Sequence, residues 1–328
     1  MKPRPNIVVL DGAVLNPGDN PWDEIAALGS LTVHDRTPPE LTLERGQDAE
    51  VIFTNKTRLT AEILAGLPRL GFIGVLATGY DVVDLAGAGS RGIPVSNVPG
   101  YGTESVAQFV MAQLLTLCRQ PGLHDRLVRE GEWTRSGEYS FWTTPQVELA
   151  GLTMGVVGFG SIGRRVGELA LALGMGVLAH CPRPKEPLAG RFSFAPLREL
   201  FAQADVISLH CPLTSDNQAF VNRDLLGLMK PGGFFLNTAR GGLVNEADLA
   251  EALNAGNLAG AALDVLTVEP PVPGHPLLSA KNCLLTPHMA WASLTARKRL
   301  TAMAADNLRG FLAGAPKNVV NAGYLKTA

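Results

Sequence analysis

A two-domain α/β protein built on parallel sheets is the fold this sequence predicts, and three observations carry the prediction. Short apolar runs rich in Val, Ile and Leu alternate with helical patterns along most of the chain, as strand–helix–strand units require. A length of 328 residues is long for a single hydrophobic core. Near the middle, Gly158-Phe159-Gly160-Ser161-Ile162-Gly163 follows an apolar run and opens an alanine-rich one, the composition of a sharp strand-to-helix turn.

In the first third, residues 7–10, 51–55, 72–77 and 93–96 are expected as strands. Helices are expected between them, such as 61–65 with Thr60 as its N-cap. The joint Pro99-Gly100-Tyr101-Gly102 then opens a long helix near Thr103, in which Val106, Phe109, Val110 and Leu114 recur at helical spacing and predict a buried face. Residues 121–145 differ in character, setting Trp133, Tyr139, Phe141 and Trp142 among charges and turn residues. Aromatics at that density are a liability in water, so a second subunit is expected to cover them. From Gly151 the alternation resumes, with strands expected at 154–157, 176–180, 206–211, 233–237, 260–265 and 282–286 and a helix at 161–173. A last helix, near 292–313, is long enough to return to the first domain. That domain is therefore expected to be discontinuous, residues 1–100 with 294–328, with residues 101–293 as the second.

Composition excludes several classes of function. Hydrophobic residues make up 46% and charged residues 18%, the balance of a packed globular chain. A formal charge of −2, without any long basic run, gives no reason to expect nucleic acid or an anionic membrane. Cys118, Cys181, Cys211 and Cys283 lack a CxxC spacing, which argues against a metal site and for a reducing compartment. Met1-Lys2-Pro3-Arg4-Pro5 leads into an apolar run too short for a signal sequence. The longest apolar helical stretch, 106–118, contains Gln108 and Gln113 and falls short of the ~20 residues a membrane span needs. A soluble, cytoplasmic protein is expected.

The glycine turn has a chemical reading. Gly158 permits the tight turn, Gly160 lets backbone approach a pyrophosphate, and Gly163 allows the helix to pack on the strand. Free N–H groups near Ser161 and Ile162 would then face the phosphates. A bare GxGxxG also arises in ligand-free connections, but the strand before and the helix after it favour a dinucleotide site. About 20 residues further on, such a site specific for NAD carries an acid for the ribose hydroxyls. His180-Cys181-Pro182-Arg183-Pro184-Lys185 offers none. Losing that carboxylate removes an attraction for the ribose and a repulsion against a 2′-phosphate. Arg183, with Lys185 as a second candidate, supplies a cation for that phosphate, so NADP(H) is the favoured cofactor and NAD(H) the alternative.

Three residues downstream suit the reduction of a 2-oxo acid. Arg240, in Asn237-Thr238-Ala239-Arg240-Gly241, follows an expected strand end with small neighbours that keep backbone close to a bound molecule. Its guanidinium would clamp a carboxylate at two points. His288, in Thr286-Pro287-His288, would give a proton as hydride arrives, and Glu269, in Glu269-Pro270-Pro271, would keep that imidazole charged. Taken singly, these are a solvated arginine, a surface glutamate and a histidine in a Pro turn. Asp264 would bond a nicotinamide carboxamide or merely cap a turn. Of the other histidines, His34 and His124 lie in polar runs, His275 in a Pro/Gly loop, and His210 at the end of a buried strand.

At these residues the chain resembles the D-isomer-specific 2-hydroxyacid dehydrogenases, within them the glycerate dehydrogenase/hydroxypyruvate reductase group. Nearly the whole chain carries the resemblance: Ala77-Thr78-Gly79-Tyr80-Asp81, the run from Val98 to Ala107, the glycine turn, His210-Cys211-Pro212-Leu213-Thr214, the Arg240 motif, Asp264-Val265, Glu269-Pro270, and Thr286-Pro287-His288-Met289-Ala290-Trp291-Ala292. The resemblance implies two Rossmann-like domains, a flavodoxin-like substrate domain and a dinucleotide-binding domain, with homodimers joined through the latter. It implies Arg240, Glu269 and His288 as catalytic residues. Ala77, Thr78 and Gly79 would bind the substrate carboxylate beside Arg240 and His288, with Trp291 walling the pocket or packing between domains. Thr103, Gly158, Gly160, Ser161, Ile162, Gly163, Cys181, Arg183, Pro212, Thr238, Ala239, Asp264 and Ala290 would line the cofactor site. Two departures stand out: Cys181 replaces the Asp of NAD-dependent relatives, and Gln108 stands where a Glu is common. The expected reaction is reversible reduction of a small 2-oxo acid, foremost hydroxypyruvate to D-glycerate, with glyoxylate as a side substrate. A phosphoglycerate, D-lactate or phosphite dehydrogenase, or a dinucleotide-sensing scaffold like the corepressors of this fold, is the alternative.

Overall fold

Parallel strands buried on both faces need continuous apolar runs, and such runs build two sheets in the computed structural model, which describes residues 4–183 and 185–325. Pro184 of the Cys181–Lys185 segment, the first three residues of the N-terminal run and the last three of the C-terminal tail lie outside the described residues. The chain divides into two compact units, Met1–Gly102 with Ala292–Ala328, and Thr103–Trp291.

The first unit holds β1 (Asn6–Val9), β2 (Ser30–Val33), β3 (Val51–Thr54), β4 (Phe72–Val75) and β5 (Val95–Ser96), all parallel and ordered β2-β1-β3-β4-β5. That is the flavodoxin-like order. Every residue of β3 and β4 is buried, as their unbroken apolar sequences require. Helix Ala61–Ala65 forms where expected, because the Thr60 hydroxyl accepts the Ile63 N–H at 3.3 Å. Helix Leu294–Leu312 starts at a Ser293 cap, buries Leu300, Ala304 and Leu308, and stacks Phe311 on Phe72 with ring centroids 4.9 Å apart. β2 escapes the sequence pattern because it is a largely exposed edge strand pairing only with β1.

The second unit holds β6 (Thr153–Val157), β7 (Gly176–His180), β8 (Phe192–Phe194), β9 (Val206–Leu209), β10 (Gly233–Asn237), β11 (Leu258–Leu263) and β12 (Cys283–Leu285), ordered β12-β11-β10-β9-β6-β7-β8. All are parallel. The order reverses between β6 and β9, the point at whose carboxyl ends such sheets bind ligands. Helix Thr103–Arg119 buries Val106, Ala107, Val110 and Leu114, while Phe109 is only half-buried. Arg165 ties it to helix Ser161–Ala172 by pairing with Glu104 at 2.9 Å and Glu168 at 3.0 Å. Beyond it lie helices Pro121–Arg129 and Glu132–Ser136, then Tyr139 and Trp142, which are 96% and 64% exposed. β8 was not expected from sequence; Phe192 and Phe194 close it against Phe159 at centroid separations of 5.1 and 5.5 Å.

Among the described residues no helix is long and apolar enough to cross a membrane, and no group of His, Cys, Asp and Glu could hold a metal ion. All four cysteines are free thiols, and burial pushes Cys118 up to about 11 and Cys283 to about 12.

Candidate active site

The glycine turn follows β6 at the switch point, and each glycine has its own reason to be there. Gly158 has φ +95°, and a Cβ on it would meet the Cys211 N at 2.5 Å and His210 backbone just beyond. A Cβ on Gly163 would meet the Gly158 carbonyl oxygen at 2.0 Å, so helix Ser161–Ala172 can sit this close to the turn only without one. Nothing lies within 4 Å of a Cβ on Gly160. That glycine keeps space open above the turn instead of fitting a packed one. Gly160 is also the helix N-cap and offers no side-chain bond to the first turn, so the N–H groups near Ser161 and Ile162 are left to an anion. The buried Thr238 hydroxyl, just after β10, has no partner among the described residues. An open cradle, an uncapped helix start and an orphaned hydroxyl at strand ends fit a dinucleotide.

Past β7, the Cys181 thiol donates to the Arg183 carbonyl oxygen at 2.8 Å, curling the chain. An open hollow of about 400 Å³ lies there, lined by Cys181, Pro182, Arg183, Phe194 and Pro196 among others. It shares no residue with the proposed catalytic groups. Arg183 is exposed and makes no ion pair among the described residues. Pro212 and Ala239 lie in the loops after β9 and β10, and Thr103 begins the long helix.

His288 and Glu269, 19 residues apart, come together: His288 Nδ1 and Glu269 Oε2 are 2.7 Å apart. A carboxylate only accepts, so Nδ1 carries the proton and Nε2 is the ring nitrogen left for a ligand. The Leu266 N–H holds the other oxygen of Glu269 at 3.0 Å. His288 sits at φ +52°, uncommon for histidine, and its surroundings over-determine that conformation. Its N–H donates to the Asp264 carbonyl oxygen at 2.8 Å, and its own carbonyl oxygen accepts the Trp291 indole N–H at 2.9 Å. The Asp264 carboxylate, 1% exposed, accepts from the Thr286 hydroxyl at 2.6 Å, Met289 N–H at 2.9 Å and Ala290 N–H at 2.8 Å. So Asp264 ties down the loop carrying His288, and Gln113 extends the chain by donating to Thr286 at 3.2 Å.

Arg240 is exposed in the loop after β10, and among the described residues its guanidinium hydrogen-bonds only the Ala239 carbonyl oxygen, at 2.7 Å. The fully buried Asn237 shapes that loop, donating to the Arg240 carbonyl oxygen at 2.9 Å and accepting the Ala239 N–H at 3.0 Å. In the first unit, Ala77, Thr78 and Gly79 follow β4; Thr78 donates to the Val98 carbonyl oxygen at 3.0 Å. Among the described residues none of those three N–H groups donates to a backbone carbonyl.

Sequence reasoning passed over Asn237, Thr286, Gln113 and Glu246. It also set aside His275, which lies 3.1 Å from Glu246. Asn237 bonds two and three residues ahead within its own motif, whereas for the others the signal is a partner distant in sequence, which no local pattern shows. His210 lies one residue past the end of β9 instead of within it; burial pushes its imidazole down to about 3, which keeps it neutral.

A parallel α/β unit with a dinucleotide cradle and a histidine–carboxylate pair at its strand ends defines a nicotinamide-dependent oxidoreductase. The family model for the D-isomer specific 2-hydroxyacid dehydrogenase NAD-binding domain matches residues 111–290. The chain is 47% identical to a hydroxypyruvate reductase of Blautia hydrogenotrophica, across 96% of this chain and 99% of that one. It is 40% identical to a glycerate dehydrogenase of Methylorubrum extorquens, across 87% and 89%. Among solved structures, an NADPH-dependent glyoxylate/hydroxypyruvate reductase of Sinorhizobium meliloti, in complex with NADP and malonate, matches with TM-score 0.83 and 31% identity over 99% of each chain. The chain belongs to the D-isomer specific 2-hydroxyacid dehydrogenase family.

Proposed function

We propose that this protein reduces hydroxypyruvate to D-glycerate with NADPH, and glyoxylate as a lesser substrate, acting in the cytoplasm as a homodimer. The observation that carries the reading is the His288–Glu269 pair, with Nδ1 held by carboxylate and Nε2 left for a substrate oxygen. The names and identities of the two relatives support the substrate. The exposed Tyr139 and Trp142 support a covering partner copy, and the free thiols a reducing compartment.

Gly158, Gly160, Ser161, Ile162 and Gly163 would hold the pyrophosphate, and Thr238 a neighbouring part of the cofactor. Arg183, beside Cys181, would meet a 2′-phosphate. When bound, the nicotinamide supplies the hydride that the carbonyl carbon accepts. Arg240 presents a planar fork of donors to the substrate carboxylate, which fixes the carbonyl relative to His288. As the C=O becomes C–O⁻, His288 delivers its Nε2 proton to that oxygen and is left neutral, with Glu269 stabilising the charged imidazole beforehand. Hydroxypyruvate, glyoxylate, pyruvate and 3-phosphohydroxypyruvate assayed with NADPH and with NADH test the proposal. It expects the highest kcat/KM for hydroxypyruvate with NADPH; a higher value for another acid or for NADH overturns that part.

A further inference from the structure

We infer that Glu246 and His275 form a positioning pair that fixes the loop bearing Glu269, and thereby sets how that carboxylate meets His288. The inference rests on the reading of His288 and Glu269 as the acid and its partner.

Residues 267–274 form an exposed excursion after β11, and Pro270, Pro271, Pro273 and Gly274 make up half of it. The three prolines have no N–H to donate, and among the described residues the segment's own backbone bond, His275 N–H to the Val272 carbonyl oxygen at 3.2 Å, closes its far end without reaching Glu269. Yet Glu269, which stands in it, must keep one oxygen on His288. The restraint comes from outside. Glu246 opens helix Glu246–Asn254, which is capped by Asn245 and anchored in the core by Leu249 and Leu253. One oxygen of Glu246 accepts the Thr267 N–H at 2.8 Å, and the other lies 3.1 Å from His275 Nε2.

The donor pattern at His275 is determined. The Leu277 N–H donates to Nδ1 at 3.3 Å, so Nδ1 is unprotonated and Nε2 carries the hydrogen offered to Glu246. Both side chains are nearly buried, 9% and 12% exposed. One carboxylate thus grips both feet of the excursion, at Thr267 and at His275, with Glu269 between them. The two glutamates also take successive backbone N–H groups, Glu269 that of Leu266 and Glu246 that of Thr267. A shift of Thr267 off Glu246 would therefore pull on the anchor of Glu269 next to it.

The test is a set of single and double variants assayed with hydroxypyruvate and NADPH, with NADPH affinity followed by tryptophan fluorescence. Glu246→Gln and His275→Leu are expected to lower kcat about 10-fold, since a displacement of catalytic groups by an ångström costs that or more, while NADPH affinity stays within about 2-fold. His275→Gln keeps a donor for Glu246 and should recover most of the loss. Glu269→Gln combined with Glu246→Gln should be no slower than Glu269→Gln alone, because a displaced carboxylate and an absent one cost the same step. Multiplying losses in the double variant, or a His275→Leu enzyme with unchanged kcat, would overturn the inference. If Glu246→Gln does not fold, His275→Leu with Glu269→Gln makes the same comparison. A Glu269→Gln enzyme of undiminished activity would instead sink the underlying reading of the pair, and this inference with it.

Discussion

His288 and His275 each meet a glutamate, at 2.7 and 3.1 Å, yet the first side chain is 27% exposed and the second 9%. At His275 both ring nitrogens are engaged, Nε2 by Glu246 and Nδ1 by the Leu277 N–H. At His288 only Nδ1 is engaged by protein among the described residues. The backbones differ too: His288 is held at φ +52° by bonds to Asp264 and Trp291, whereas His275 caps the short turn Pro276–Leu278 at an ordinary negative φ. Identical residue types therefore serve opposite ends. With both nitrogens committed, the imidazole is left only a supporting role; with one left over, it can serve as the proposed proton donor.

The sharpest way to break this comparison is to remove each imidazole and ask what is lost. His288→Ala is expected to lower kcat by roughly 10²- to 10⁴-fold, the usual worth of a general acid, with NADPH binding and the urea midpoint unchanged. A comparable loss of stability would give His288 a supporting role too. Arg240→Ala comes next, at about 10²-fold in kcat/KM with KM clearly raised, because it removes a forked, charge-assisted pair of hydrogen bonds. An unaltered KM for the 2-oxo acid would mean that another group holds the carboxylate. His275→Leu should show the reverse balance. Leaving one nearly buried oxygen of Glu246 without its donor should cost about 1–3 kcal/mol in urea unfolding, and the activity loss should stay well below that of His288→Ala.

The same contrast explains what the sequence could and could not disclose. β3, β4, β6, β9 and β10 were legible because parallel strands buried on both faces leave continuous apolar runs. β2 and β8 were not, being short edge strands that leave half or more of their residues to solvent. In the site, the glycine turn announced itself because its three backbone demands fall within six residues. Glu246 and His275 are 29 residues apart, and each is unremarkable in its own surroundings. Asp264 was read as a cofactor contact or a turn cap; both its oxygens bind the loop around His288, a role visible only once β11 and β12 lie side by side. Local chemistry is written locally, whereas support between segments needs the fold.

A milder comparison concerns the two ends of the proposed cofactor site. The glycine cradle is made of backbone and would serve any dinucleotide, so under the proposed function discrimination between NADPH and NADH would fall on side chains after β7. There Cys181 offers no carboxylate to ribose hydroxyls, and its thiol turns inward onto the Arg183 carbonyl oxygen. Arg183 itself, exposed and without an ion pair among the described residues, is positioned to lose nothing by meeting a phosphate. Arg183→Ala should raise KM for NADPH about 10-fold, the worth of one exposed charge-assisted contact, and leave KM for NADH within about 2-fold. Cys181→Asp should move the same ratio the same way, by adding an acceptor for the ribose and a repulsion against the 2′-phosphate. Equal changes in both KM values would show that the segment after β7 only supports the sheet, and would return cofactor choice to residues outside it.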